Sequence, residues 1–159
     1  MFYRSCLPDR ALRPWVDCFW VLNYQAGNNR INETILPNGK IEIIFELEGN
    51  YSVTNRKTNR VKTAWLSGMH CEPLTISYSG HSHLVGIRFQ PNGLYPFLSF
   101  PVHETVNQVE NLNMIWGSDG EEVCEKLSSC MTNHQLFEIL HIFLLKRLID
   151  FKLSHQSLI

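Results

Sequence analysis

Apolar and polar residues alternate most regularly in residues 41–47, where Ile41, Ile43, Phe45 and Leu47 fall on one side of an extended chain. Glu42 and Glu46 fall on the other side, together with Ile44. A period of two is typical of a half-buried β-strand. Asn38-Gly39 comes just before this strand and favours the positive φ angles of a tight turn. The pattern therefore predicts that residues 31–36 and 41–47 pair as an antiparallel hairpin.

Further short strands are predicted upstream and downstream, with turn signals at Gly49-Asn50, Ser67-Gly68 and Ser79-Gly80. These predicted strands cover residues 16–24, 51–54, 62–67, 74–79 and 84–90. Many short strands at even spacing indicate an antiparallel barrel or sandwich.

The spacing of apolar residues becomes helical after Pro91-Asn92-Gly93. Short helices are predicted at 101–108 and 109–116. A longer helix, capped by Asp119 or Gly120, should run to about Cys130. Asn133 is the predicted cap of a last helix over residues 134–152, which has apolar positions on more than one side. We therefore expect one domain over residues 1–159, with mainly strands in 1–92 and mainly helices in 93–159.

Composition and charge narrow the class of protein. Fourteen basic and fifteen acidic residues give a net charge of −1, whereas a stand-alone nucleic-acid binder usually carries a basic excess. The five cysteines are odd in number, irregularly spaced and without a CxxC pair, which suits free thiols in a reducing compartment. The N-terminus has no signal-peptide pattern, and no apolar stretch is long enough to cross a bilayer. We expect a cytoplasmic protein.

Metal binding and catalysis have limited support. His81 and His83 would point to the same side of a strand and could share a metal ion, but no carboxylate follows them closely. Two histidines alone leave a metal site short of ligands, and polar residues at the start of a strand explain them better. No nucleophile-elbow motif and no Gly-rich phosphate loop is present, and Cys18 alternates with apolar residues as a small core residue would. We predict no enzyme activity, no metal and no cofactor.

Arg88 is the most informative candidate for a ligand-binding residue because it lies in a largely apolar strand. It could bind a ligand carboxylate or phosphate inside a barrel. Alternatively, it forms an ion pair with Glu42 or Glu46 on a neighbouring strand. The candidate pocket residues are Trp20, Arg88 and Glu42, although core packing would also explain Trp20. The last helix either completes the core or forms a dimer interface, for which the candidates are Leu140, Phe143, Leu144 and Phe151.

Two segments together resemble the N-terminal effector domains of one branch of the AraC family of transcription regulators. They are residues 36–45 (LPNGKIEIIF), similar to an LPDG turn before an apolar strand, and residues 85–94 (VGIRFQPNGL), similar to GxRFxPGG before a helix. Asn38 stands where the family usually has aspartate and Asn92 where it usually has glycine; both suit turns. Weaker matches at 8–20, 67–68, 101–104 and 116–117 extend the resemblance over nearly the whole chain.

The resemblance implies an α+β fold in which an antiparallel cupin-like β-barrel precedes a C-terminal helical portion. It also implies a homodimer that senses a small-molecule effector. In that family a helix-turn-helix DNA-binding unit comes next, and we expect DNA contact only through such a domain outside this chain. The alternatives are a small cupin-like enzyme or metal-binding protein, and a purely structural dimerisation domain without a ligand.

Overall fold

A computed structural model describes residues 1–54, 58–59 and 63–156. Their strands form two antiparallel sheets, one with six strands in the order β1-β2-β9-β4-β7-β10 and one with four in the order β3-β8-β5-β6. The strands are β1 (Phe2–Cys6), β2 (Val16–Gln25), β3 (Ile31–Ile35), β4 (Glu42–Glu48), β5 (Ser52–Thr54), β6 (Thr58–Asn59), β7 (Ala64–Ser67), β8 (Leu74–Tyr78), β9 (His81–Phe89) and β10 (Val109–Asn111).

Three helices follow the sheets: α1 (Asn113–Trp116), α2 (Ser118–Ser128) and α3 (Asn133–Gln156). Two 3₁₀ turns, Tyr95–Phe97 and Val102–Thr105, lie between β9 and β10. None of the helices in the described ranges is both long enough and apolar enough to span a membrane.

The main core lies between the helices and one face of the six-stranded sheet. Directly opposite residues of antiparallel strands share a face, and Ile87 of β9 lies between Phe19 of β2 and Ile43 of β4. All three are fully buried and pack in one cluster with Leu140 and other leucines of α3. Period-two alternation in the central strands thus creates the surface on which α3 packs.

A second core lies between the two sheets. Trp20 and Trp65 of the larger sheet cluster there with Val53 and Leu74 of the smaller one. Gly86 allows this packing, because a Cβ at this position would lie 2.2 Å from Cε2 of Trp20. The indole ring therefore lies across the backbone of β9 at a site that only glycine leaves open.

The predicted hairpin is wrong. β3 pairs with β8 in the smaller sheet, whereas β4 pairs with β7 and β9 in the larger one. The Asn-Gly turn exists, with Gly39 at φ +69° and Asn38 Oδ1 accepting a hydrogen bond from Lys40 N. It belongs to a crossover between the sheets. β3 is largely exposed and suits a sheet edge, whereas β4 needs a partner on each side to bury its alternating apolar residues.

The helical half also differs in detail from the prediction. Residues 109–111 extend the six-stranded sheet as β10, so the predicted helix over 109–116 begins only at Asn113. Thr132, rather than Asn133, caps α3: its Oγ1 accepts from Gln135 N, and Gln135 Oε1 accepts from Thr132 N. This is a reciprocal capping box.

Several broader expectations hold. The mixed α+β class, the antiparallel sheets and the C-terminal helix are confirmed. The predicted strand over residues 62–67 is found from Ala64 onward, and its start at Lys62 lies outside the described residues.

Candidate functional site

A row of polar side chains crosses the six-stranded sheet on the face turned toward the smaller sheet. Arg88 lies opposite Cys18 on one side and Glu42 on the other, and Glu42 lies opposite Ser67. Because opposite residues share a face, these four residues of β2, β9, β4 and β7 form a continuous row. The next row across the same sheet is Trp20, Gly86, Ile44 and Trp65.

The centre of the polar row is an ion pair. Arg88 Nε donates a hydrogen bond to Glu42 Oε1 at 2.9 Å, and both side chains are largely shielded from solvent. Burial opposes the charge of Arg88, but the hydrogen bond and the negative charge of Glu42 outweigh it and raise the pKa of Arg88. The sequence left two roles open for Arg88, binding of a ligand anion and an ion pair with a glutamate. The structure contains the ion pair, with Glu42 as the partner. Glu46 instead accepts a hydrogen bond from Tyr51 N at 3.0 Å.

Two further ionisable groups border this pair. Burial raises the pKa of the Cys18 thiol, although the charge of Arg88 acts in the opposite direction. A thiol with a raised pKa stays protonated and is a poor nucleophile. Burial likewise raises the pKa of the Tyr3 phenol, against the opposing effect of Arg88. Both groups therefore remain uncharged at neutral pH beside the ion pair.

A pocket of about 120 Å³ opens between the two sheets at Glu42; we call it the crossover pocket. The crossover from β3 to β4 forms its outer wall, where Leu36 is 68% exposed. Its inner walls come from both sheets and from the turn after β7. The lining residues are Ile35, Leu36, Pro37, Asn38, Lys40, Glu42, Ile44, Ser67, His70 and Leu74.

Ser67 and His70 form the second polar pair in the wall of this pocket. Ser67 Oγ lies 3.1 Å from His70 Nε2, and burial lowers the pKa of His70. The imidazole is therefore neutral at pH 7 and can donate or accept a hydrogen bond. The sequence indicated Ser67 only as part of a turn and did not predict its contact with His70. The signal that could have suggested the contact is their spacing of three, from the last residue of β7 into the turn that follows.

Trp20 lies one row away from the ion pair, at 6% exposure, and stacks on Tyr3 with 6.3 Å between ring centroids. No described residue accepts a hydrogen bond from its Nε1, although buried N–H groups usually have a partner. Of the three candidate pocket residues, Glu42 lines the crossover pocket and Arg88 binds Glu42. Trp20 belongs to the neighbouring apolar row.

Comparison with known proteins identifies the family. The profile of a domain family of unknown function, DUF6597, matches residues 4–111, which is more than half of the chain. The chain belongs to this family. The match includes both sheets apart from the first two residues of β1, contains the whole polar row, and ends at the last residue of β10. No curated protein and no solved structure matches the chain.

The two histidines considered for a metal lie elsewhere in this DUF6597 domain, near the start of β9. His81 Nδ1 lies 2.9 Å from Glu48 Oε2, and its Nε2 is hydrogen-bonded to Asn23. Burial, followed by the charge of His81, lowers the pKa of His83. Within the described ranges, no three His, Cys, Asp or Glu side chains converge in a way that could hold a metal ion.

The candidate dimer residues of α3 occupy three different environments. Leu140 and Leu144 are fully buried in the core and are not available at the surface of the folded chain. Phe143 packs on Trp116 with 4.9 Å between ring centroids, and Phe151 packs on Tyr95 at 5.4 Å. The apolar side chains of α3 that are more than half exposed are Ile142, Ile149 and Leu153.

Proposed function

We propose that this chain is the ligand-sensing and dimerisation domain of a cytoplasmic AraC-type transcription regulator, built on a cupin-like barrel. It would act on a helix-turn-helix DNA-binding domain outside this chain. The observation that carries the proposal is the crossover pocket. The two segments that resemble AraC-type effector domains supply its outer wall, Glu42, and Arg88, which binds Glu42.

The sheet also offers a physical route from pocket to helices. Glu42 and Arg88 face the space between the sheets, and their chain neighbours Ile43 and Ile87 are buried on the face where α3 packs. A ligand that moved β4 against β9 would therefore shift the surface beneath α3. Regulation by this route requires that the ligand bind two arrangements with different affinities.

The proposed homodimer would use the exposed stripe Ile142, Ile149 and Leu153. Residues at spacings of seven and four lie on one side of a helix, and these three are exposed although apolar. Sedimentation tests this: Ile149→Glu should dissociate the dimer, whereas Met131→Glu, a similar change at an exposed methionine before α3, should not. A strictly monomeric wild-type chain would contradict the dimerisation part of the proposal.

A reporter assay tests the regulatory function. The chain is fused to a DNA-binding domain that represses a promoter only as a dimer, and the same two variants are compared. Repression by the wild type and by Met131→Glu, with loss for Ile149→Glu, supports the proposal. A well-expressed fusion that never represses rejects it.

The Ser67–His70 pair favours a second candidate, a small cupin-like enzyme, because a nucleophilic enzyme needs a hydroxyl beside a base. Hydrolysis of 4-nitrophenyl acetate that is lost in Ser67→Ala would support it. The metal-binding version predicts stoichiometric metal in the purified protein that is lost in His81→Ala and His83→Ala. Neither result is expected for a sensor domain.

A further inference from the structure

Among the described residues of the inner wall of the crossover pocket, the ionisable groups are either paired or neutral. Arg88 holds Glu42 through a hydrogen bond of 2.9 Å, and His70, bonded to Ser67, is neutral at pH 7 because burial lowers its pKa. Lys40 also lines the pocket, but it is exposed at the mouth, where water solvates its ammonium group. Bringing a charged group into such a space costs free energy unless it meets an opposite charge. At the inner wall, a charged ligand would have to compete with Arg88 or Glu42 for its existing partner.

The volume of the pocket limits the part of a ligand that it can enclose, because the mouth at Leu36 is open. An engineered apolar cavity of about 150 Å³ takes up benzene, which has six non-hydrogen atoms. The crossover pocket, at about 120 Å³, is slightly smaller. Typical metabolite sites of about 300 Å³ or more are much larger.

The lining has one polar and one apolar side. Glu42, Ser67 and His70 provide hydrogen-bonding groups, whereas Ile44 and Leu74 provide aliphatic surface. A hydroxyl group can both donate to a carboxylate or imidazole and accept from a hydroxyl, so it satisfies this polar side without adding a charge.

We propose that the crossover pocket encloses an uncharged molecule, or an uncharged group of one, of about six non-hydrogen atoms that carries one hydroxyl group. The hydroxyl lies toward Glu42 and Ser67, and the hydrocarbon part packs on Ile44 and Leu74. This inference rests on the proposed function and names the chemical class of the effector.

The test uses the full chain, labelled with ¹⁵N, and three probes of similar shape: cyclopentanol, cyclopentanecarboxylate and cyclopentylammonium. We expect saturable amide shifts at the pocket residues with cyclopentanol, and at least tenfold weaker binding of the two ions. Ser67→Ala should weaken the binding of cyclopentanol but not that of cyclopentane.

Blocking variants show whether the pocket is the site. Ile44→Phe fills it from the inner wall, and Leu36→Trp covers the exposed mouth should the first variant not fold. Leu7→Phe adds the same ring at an exposed leucine outside both the pocket and the proposed dimer stripe, and is the matched control. Loss of binding in either blocking variant, with retention in the control, supports the proposal.

The proposal is overturned if cyclopentanol causes no saturable shift, if an ion binds more tightly, or if the blocking variants bind as well as the wild type. Failure of the regulatory function is distinguishable, because it appears in the reporter and sedimentation experiments without any ligand. If the chain binds cyclopentanol but neither dimerises nor represses, the proposed binding site is supported and the proposed regulatory function is rejected.

Discussion

Replacing Arg88 by Met and Glu42 by Leu, singly and together, measures how strongly the ion pair at the pocket wall contributes to stability. Each single substitution removes one charge and leaves the other without the partner that it has at 2.9 Å. The double substitution replaces both with apolar side chains of similar length. We expect the double variant to be no less stable than either single variant.

The magnitude follows from the burial of the pair. Breaking a fully buried ion pair on one side costs about 3–5 kcal/mol, and losing a hydrogen bond to a charged group costs about 1.5–3 kcal/mol. The side chains of Arg88 and Glu42 are 24% and 16% exposed, so water partly solvates the remaining charge. We therefore expect about 2 kcal/mol for each single variant and about 1–2 kcal/mol for the double variant, an interaction energy of about 2–3 kcal/mol.

Urea unfolding, followed by tryptophan fluorescence and circular dichroism, gives the four free energies of unfolding. The control is that the free energy of unfolding falls with urea concentration at the same slope in all four chains, because an equal slope shows that the same surface area is exposed on unfolding. An interaction energy below about 0.5 kcal/mol, the scatter of independent sites, would refute the reasoning. The two charges would then act separately despite their contact.

Three other substitutions test local features of the fold. Thr132→Ala should destabilise the chain by about 1 kcal/mol in urea unfolding and Asn133→Ala hardly at all, since Thr132 caps α3; the reverse order would restore the predicted cap. Gly86→Ala should lower the free energy of unfolding by about 1–3 kcal/mol and alter tryptophan fluorescence, because the added Cβ displaces the indole that lies across it. The control is Gly27→Ala, where a Cβ meets nothing within 4 Å, and equal stability of the two variants would contradict this packing. Burial lowers the pKa of His70 in the folded chain, so the unfolded chain binds a proton at His70 first as the pH falls. The contribution of neutral His70 to the free energy of unfolding is therefore complete above about pH 6.5 and declines below it. His70→Gln should therefore flatten the decline in unfolding free energy between about pH 7.5 and 5.5, and an unchanged slope would disprove this role.

The sequence predicted the individual strands better than their partners. Alternation in β4 correctly indicated that Ile43 and Phe45 are buried on one face, with Glu42 and Glu46 on the other. Pairing depends on the whole sheet. An Asn-Gly turn suits a hairpin locally, but β4 makes two other pairings and carries buried side chains that the exposed edge strand β3 could not cover.

The candidate site was accessible from sequence only in part. An arginine in an apolar strand required a carboxylate or a ligand, and both Glu42 and Glu46 were candidate partners. The choice between them is fixed by the register, because Arg88 lies opposite Glu42 in the sheet. The pocket itself could not be predicted, since Leu74 of the smaller sheet and His70 of a turn reach it only after the sheets pack.

The last helix shows why periodicity alone did not identify an interface. α3 has apolar residues all round, so its pattern indicates several contacts without assigning any of them. The fold uses one side for the sheet, through Leu140 and Leu144, and another for Trp116, through Phe143. Both sides therefore stabilise the single chain. A partner could bury only the apolar surface that remains, which is why the dimerisation test is directed at Ile149 rather than at the leucines that first suggested it.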